Sequence, residues 1–433
     1  MSSEPRPYPA ADATCAYEDC DRPAWLSCPH GFCLFHSPDN GRLDAAARTV
    51  WDTARRMAQA GHCDFSRWHF PPDPGLDLDE DKGGFLEARF SGDAAFNDAT
   101  FSGNAWFRGA RFSGDAWFDG ARFSGDAWFP GATFSGNAWF AGAKFSRDAL
   151  FMRATFSGDA WFASATFSGN AWFVRATISG GAGFGGATFS GIAQFNRAIF
   201  SGNAQFNRAM FSGYAGFQDA TFERTAYFDR TQFNADALWG GAHFTGDAGF
   251  NSARFDPGSN IVFDFPHRGH PFRRRRAGES AYRLAKQAAW ARGDYTEAGR
   301  YHYAEQCAIE GRLMHEAGVG PRFHGLVRLL FGRVVFGYGE KVSHPLLLGL
   351  AVIAAWALVF GCIDGVAPAP GSDHTSVAWW QYGYFSVVTF TTLGYGDYQP
   401  RQGWPQVLAG LEAALGAALL ATFVVCLTRK YMR

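Results

Sequence analysis

The sequence has little net charge, no apolar leader and no recognisable catalytic motif. Its 39 basic and 40 acidic residues leave a formal net charge of −1, so bulk charge gives no reason to expect a nucleic-acid partner. The N-terminal stretch MSSEPRPYPAADA lacks the apolar region of a secretory signal, and we therefore expect it not to be exported. No nucleophile–base pair and no phosphate-binding loop is apparent, which argues against an enzyme.

What the sequence does contain is an internal repeat that runs from Phe85 to Phe255. One Phe series recurs at every eleventh position from Phe90 to Phe255 with Ile178 as its exception, and a second runs from Phe85 to Phe250 with Trp239 as its exception. Ala usually stands two residues before each Phe. The alternating steps of five and six match neither a helix nor an ordinary strand, whereas a fixed short period is typical of a solenoid. Disorder is the alternative for a chain rich in Gly and Ser, but disordered segments lack such aromatic series.

The repeat favours a narrow parallel β-helix with a Phe pointing inward at every fifth or sixth residue. The recurrent Ser-Gly-Asp and Ser-Gly-Asn triplets suit its turns. This pattern resembles the pentapeptide-repeat family, which implies a right-handed coil of four short sides. With about 22 residues per coil we expect about eight coils and a rod of roughly 38 Å. Some members of that family mimic DNA, but residues 85–256 carry 14 acidic and 13 basic residues, which disfavours mimicry and nucleic-acid partners.

Two apolar segments near the C-terminus, Pro345–Ile363 and Val407–Leu427, are each long enough to cross a bilayer. The alternative is a pair of helices buried in a soluble core. Basic residues flank the two segments on their outer sides, and acids dominate between them. We therefore expect both termini and the rod to lie in the cytoplasm. The residues that carry this expectation are Arg328, Arg333, Lys341, Arg429, Lys430 and Arg433 against Asp364, Asp373 and Asp397, with Arg401 as the exception.

Between the two segments stands a sequence suited to coordinating a dehydrated cation through backbone carbonyls. Two glycines allow the dihedrals that aim successive carbonyls at one axis. The stretch with its preceding helix closely resembles the signature of the two-transmembrane prokaryotic potassium channels, which implies K⁺ as permeant ion and four chains around one pore. The matching filter residues are Thr392, Leu393, Gly394, Tyr395, Gly396 and Asp397, and those of the pore helix are Ser386, Thr389 and Thr391.

Two residues of the second apolar segment are candidates for a functional role. Gly416 lies where that family carries a hinge glycine, so a gating bend is one interpretation and close packing among small residues is the other. Glu412, one turn earlier, should face protein or water at membrane depth. It either braces the filter from behind or lines the cavity.

Four of the eight cysteines cluster ahead of the rod. In a cytosolic segment they indicate thiols or a metal rather than disulfides. Their spacing resembles a small zinc-binding module of bacterial proteins, which implies structural Zn²⁺ held by four protein ligands. A reduced thiol-rich loop is the alternative. The implied ligands are Cys15, Cys20, Cys33 and His36, with Cys28 and His30 as alternates.

The remaining segments connect these parts. Residues 43–59 form an amphipathic pattern that suits a cap on the rod. Arg273–Arg276 suit a solvated linker or contact with anionic lipid. A helical hairpin similar to a single tetratricopeptide-like pair follows, and then a basic interfacial helix. The expected divisions are a zinc module at 1–40, a capping helix at 41–84, the β-helix at 85–265, the linker and hairpin at 266–320, the interfacial helix at 321–343, and the pore domain at 344–433.

The sequence thus predicts a multidomain chain: a right-handed parallel β-helix, a helical hairpin and an all-α two-helix transmembrane pore domain with a re-entrant loop. The leading interpretation is a homotetrameric, potassium-selective channel in the cytoplasmic membrane, in contact with membrane lipids. The rod would serve assembly or regulation and could bind a cytoplasmic protein. The alternative is a membrane-anchored scaffold with a vestigial pore.

Overall fold

A computed structural model describes residues 35–38, 44–73, 84–263, 275–315, 318–369 and 376–431. The chain divides into two compact units, Met1–Asp294 and Tyr295–Arg433. The first is dominated by short parallel strands and the second by helices.

The first unit is a β-solenoid of about eight turns, which confirms the architecture that the Phe spacing predicts. Its strands form four parallel sheets, faces I to IV, in which each strand pairs with the strand one coil further along the chain. Face I contains His69–Phe70, Thr100–Phe101, Arg122–Phe123, Lys144–Phe145, Thr166–Phe167, Thr188–Phe189, Met210–Phe211, Gln232–Phe233 and Arg254–Phe255. Face II contains Arg89–Phe90, Arg111–Phe112, Thr133–Phe134, Thr155–Phe156, Thr177–Ile178, Ile199–Phe200, Thr221–Phe222 and His243–Phe244. Face III contains Ala94–Ala95, Ala116–Trp117, Ala138–Trp139, Ala160–Trp161, Ala182–Gly183, Ala204–Gln205, Ala226–Tyr227 and Ala248–Gly249. Face IV contains Ala105–Trp106, Ala127–Trp128, Ala149–Leu150, Ala171–Trp172, Ala193–Gln194, Ala215–Gly216, Ala237–Trp239 and Ile261–Phe263.

Phenylalanine rings fill the axis of the solenoid in parallel ladders. Phe112 and Phe134 stack with centroids 4.7 Å apart and planes 1° apart, while Phe107 meets Phe118 edge to face at 5.5 Å and 89°. Both geometries are favourable for aromatic pairs. Trp239 takes the place of a Phe by stacking on Phe217 at 5.1 Å. The core is therefore one continuous aromatic column.

The Ser-Gly-Asx triplets join consecutive coils. The Asp93 carboxylate accepts the amide N–H of Asp115 at 2.9 Å, and Asp115 in turn accepts that of Asn137 at 2.7 Å. The glycines of the triplets lie where coils approach closely, since a Cβ on Gly136 would stand 2.6 Å from the carbonyl carbon of Gly114. Triplets of this kind thus satisfy backbone donors of the following coil.

Helices lie against both ends of the solenoid. Helix α1 (Asp44–Gln59) inserts Trp51, whose ring centroid lies 5.0 Å from that of Phe70 and whose Nε1 donates to the Pro71 carbonyl at 2.9 Å. Helix α2 (Arg275–Ala291) packs on the last strands of faces III and IV, and its Ser280 Oγ accepts the amide of Phe250 at 3.1 Å. Both ends of the aromatic column are covered by apolar helix faces.

The second unit contains five α-helices among its described residues. These are α3 (Tyr295–His315), α4 (Val319–Val327), α5 (Ser343–Cys362), α6 (Trp379–Phe390) and α7 (Trp404–Tyr431). A π-helical segment, Arg328–Val335, and a 3-10 turn, Gly337–Gly339, connect α4 to α5, and strands Val366–Pro368 and Tyr398–Pro400 pair antiparallel. The predicted helix pair therefore divides between the units, with α2 in the first and α3 in the second.

Helices α5 and α7 have the length and apolarity to cross a membrane. Their most apolar parts, Ser343–Cys362 and Trp404–Thr428, have mean hydropathies of 2.3 and 2.0. Helix α6 lies between them in the chain and packs on both. Where α5 and α6 meet, the rings of Phe360 and Phe385 pack edge to face with centroids 5.1 Å apart.

Candidate functional site

The loop that follows α6 is anchored at both ends by backbone hydrogen bonds. At its start the amides of Thr392 and Leu393 donate to carbonyls of the last turn of α6, both at 3.0 Å. At its end the carbonyl of Asp397 accepts the amide of Ala369 at 2.9 Å, beside the strand pair. The conformation of the loop is therefore tied to α6 and to the chain after α5.

Every second residue of this loop has a left-handed backbone. The φ angles are 56° at Thr392, 56° at Gly394 and 81° at Gly396. A plain strand directs successive carbonyls to opposite sides, whereas alternation of handedness can turn them to the same side. Glycine adopts these angles without strain, which explains its place at 394 and 396.

The loop backbone borders open space on a single chain. A Cβ built on Gly394 or Gly396 would have no neighbour within 4 Å, and the side chains of Leu393 and Tyr395 are 59% and 68% exposed. A cavity of about 300 Å³ lies alongside, lined by α6, the loop and α7. The loop therefore has a face on which nothing of the same chain packs within the described residues.

Buried contacts hold α6 against both long helices. The Ser386 hydroxyl lies 2.9 Å from the Ile353 carbonyl oxygen of α5 and in hydrogen-bond contact with Glu412 of α7. Gly416 of α7 lies against the backbone of Phe390, since a Cβ there would stand 2.8 Å from the Phe390 carbonyl carbon. The end of α6 that leads into the loop is thus clamped from two sides.

The segment before α5 contacts the far end of α7. Three consecutive residues have left-handed backbones, Gly337 at 52°, Tyr338 at 52° and Gly339 at 80°. The Tyr338 hydroxyl donates to Glu310 of α3 at 3.0 Å, and burial together with that carboxylate raises the pKa of Tyr338. Cys426 Sγ of α7 lies 3.6 Å from the Phe336 carbonyl oxygen. Helix α3 is therefore joined to the end of α7 through one strained turn.

Comparison with known families gives two matches. Residues 346–433 match the family described as Ion channel, and residues between 84 and 232 match Pentapeptide repeats (9 copies) in overlapping segments. The chain joins a pentapeptide-repeat solenoid to an ion-channel domain. No curated protein and no solved structure matches it. The ion-channel domain and its two apolar helices together indicate a membrane protein that acts in transport.

The structure brings together the predicted residues of the ion-channel domain. Ser386 of α6 and Gly416 of α7 are buried where the two helices meet, Thr389 is half-buried, and Thr391 directly follows the last residue of α6. The remaining predicted residues, from Thr392 to Asp397, form the anchored loop. Their roles in conduction stay predictions.

Sequence reasoning missed the polar network beside the ion-channel loop. Asp364 pairs with Arg401 at 2.7 Å and accepts the Tyr382 hydroxyl at 2.8 Å, and the buried Gln381 contacts the Tyr398 hydroxyl. These partners are far apart in sequence, so no local pattern reveals them. An exposed ion pair such as that of Asp364 contributes at most about 1 kcal/mol.

The predicted zinc ligands fall mainly outside the described residues. This applies to Cys15, Cys20, Cys28, His30 and Cys33, while His36 lies within them. Among the described residues no group of three or more His, Cys, Asp or Glu side chains could hold a metal. The zinc module stays a prediction from sequence.

Proposed function

We propose that the chain forms a potassium-selective channel with Thr392–Asp397 as its selectivity filter. One observation carries the proposal: the segment TLGYGD, with left-handed backbones at both glycines, lies in an ion-channel domain between two helices of membrane-spanning length. Rings of backbone carbonyls replace the water that a K⁺ ion sheds. The filter glycines are intact, which disfavours the alternative of a scaffold with a vestigial pore.

A single chain supplies one filter strand, so the proposed pore requires several chains, and the resemblance to potassium channels implies four. The exposed face of the loop supports this, because a carbonyl ring needs neighbours there. Apolar side chains on both long helices are also exposed, including Leu347 at 62%, Leu358 at 71% and Val424 at 57%. Such surfaces suit contact with lipid or with a neighbouring chain.

The proposed location is the cytoplasmic membrane, with both termini and the solenoid in the cytoplasm. Basic residues flank the outer ends of the two spans, as the positive-inside rule requires. Between the spans Arg401 is the single Lys or Arg residue, against several at the outer ends. This asymmetry of basic residues is the basis of the proposed orientation.

The solenoid would assemble or regulate the pore. The balanced charge of the solenoid supports a protein partner over nucleic acid.

The cysteine cluster would hold a structural zinc ion. Three thiols and an imidazole are the donor set that tetrahedral Zn²⁺ prefers, and such a closed set would stabilise the N-terminal segment.

Ion flux through purified protein in liposomes tests the filter. Wild-type protein should pass K⁺ in preference to Na⁺, and Gly396→Ala should abolish K⁺ conduction because an L-residue resists a φ of 81°. Gly403→Ala is the matched control. Gly403 also has a left-handed backbone, with φ 96°, and no neighbour within 4 Å of a Cβ, but it lies outside the filter. Unchanged K⁺ preference in Gly396→Ala would contradict the filter assignment.

A further inference from the structure

Glu412 is a carboxylic acid buried completely in the middle of a membrane-length helix. Its side chain has no exposed surface, and its Oε2 atom has no hydrogen-bond partner among the described residues. Among the described side chains of the ion-channel domain, the basic one is that of Arg401, and it pairs with Asp364 rather than with Glu412. An ionised carboxylate without a counter-charge is costly at such a place.

The hydrogen count at Ser386 favours a protonated Glu412. A hydroxyl has one hydrogen to donate. The Ser386 hydroxyl lies 2.9 Å from the Ile353 carbonyl oxygen, which can only accept, and also contacts Glu412 Oε1. If the serine hydrogen goes to Ile353, the contact with Glu412 requires a hydrogen from the carboxyl group. The neutral acid satisfies both contacts, whereas a carboxylate leaves one of them without a hydrogen.

The chain of hydrogen bonds joins three helices at one point. Ile353 lies on α5, Ser386 on α6 and Glu412 on α7. Ser386 stands shortly before Thr392, where the loop turns left-handed, and Gly416 contacts α6 one turn further along α7. Complete burial within one chain keeps Glu412 away from the surface that any second chain could contact.

We propose that Glu412 acts in its protonated form as a positioning residue that fixes the pore helix to both spans through Ser386. It braces the filter from behind and does not line the pore. The predicted effect of Glu412 on selectivity rests on the proposed function. The hydrogen bonds that join Glu412, Ser386 and Ile353 do not, because they can be detected without measuring ion flux.

Substitution in the full-length protein separates a hydrogen-bond role from a role of charge. Glu412→Gln keeps a donor for Ser386 and should preserve the K⁺ over Na⁺ preference. Glu412→Leu and Ser386→Ala should each lower that preference about tenfold, which is the order expected for one buried hydrogen bond. The double variant should be no worse than the more impaired single variant, since both remove the same contact.

A spectroscopic measurement tests the protonated state directly. The infrared spectrum of wild-type protein in lipid should contain a protonated-carboxyl band that is missing from Glu412→Gln. Absence of that difference would overturn the proposal, as would a Glu412→Gln variant as impaired as Glu412→Leu, or wild-type behaviour in Ser386→Ala. If Glu412→Leu does not assemble, Ser386→Ala and Glu412→Gln still decide the question. A wild-type protein without K⁺ preference would refute the proposed function, while the infrared difference would still report the clamp.

Discussion

Gly416 offers a sharp test of how the ion-channel domain is held together. A Cβ at this position would lie 2.8 Å from the carbonyl carbon of Phe390 and closer still to its oxygen. Ordinary contact begins at 3.4 Å, so the carbon alone is already too near. Gly416→Ala therefore forces α6 away from α7 at the residue that precedes Thr391.

The expected cost follows from two opposing effects. Overpacking of this kind costs about 1–3 kcal/mol, while alanine gains about 1 kcal/mol over glycine in a helix. We expect a net destabilisation of up to about 2 kcal/mol, together with reduced K⁺ flux because the filter moves with the end of α6. Thermal unfolding in detergent and flux in liposomes measure the two effects.

Gly410→Ala is the matched control on the same helix. A Cβ there would have no neighbour within 4 Å, so the helix-propensity gain should act alone and stability should be equal or higher. Wild-type stability and conductance in Gly416→Ala would refute the packing argument. If that variant instead kept its stability and changed only its open probability, Gly416 would act as a hinge.

Three further predictions concern the parts outside the filter. Gly136→Ala should lower the melting temperature of the solenoid because the new Cβ meets the preceding coil. Gly92→Ala is the control, since Gly92 lies at the same corner and a Cβ there has no neighbour within 4 Å. Equal melting temperatures for the two variants would contradict the stacking argument. Purified protein should carry about one zinc per chain by elemental analysis, and Cys15→Ser or His36→Ala should release it; metal-free wild-type protein would leave only a thiol-rich loop. Deletion of residues 1–265 should leave a selective tetrameric pore with altered open probability in single-channel recording, and identical gating would limit the solenoid to assembly or localisation.

The solenoid could be predicted from sequence because a strict period determines both its register and its interior. Each Phe that recurs one coil later must stack on its predecessor, and Ile178 and Trp239 keep that position apolar. The Ser-Gly-Asx triplets were recognisable as turns. Their hydrogen bonds to the following coil, such as that of Asp93 with Asp115, became visible only in three dimensions.

Only the parts of the candidate site that lie in one contiguous stretch of sequence could be predicted. The filter residues form one contiguous motif, so their identity follows from the chain itself. The contacts of Glu412 with Ser386 and of Gly416 with Phe390 join residues on different helices, far apart in sequence. They depend on how α6 crosses α7, and side-chain patterns within one helix do not determine a crossing. For that reason the sequence alone leaves two interpretations open for each residue.

The repeating coil makes the length of the solenoid quantised. Insertion or duplication of one whole coil would lengthen the rod by about 4.8 Å and return every later strand to its own face. An insertion of half a coil would move the final strand, Ile261–Phe263, from face IV to face III. Helix α2 would then dock on the opposite side, and the chain would leave the rod there. Variation among related chains should therefore favour whole coils, with the same exit side retained at every length.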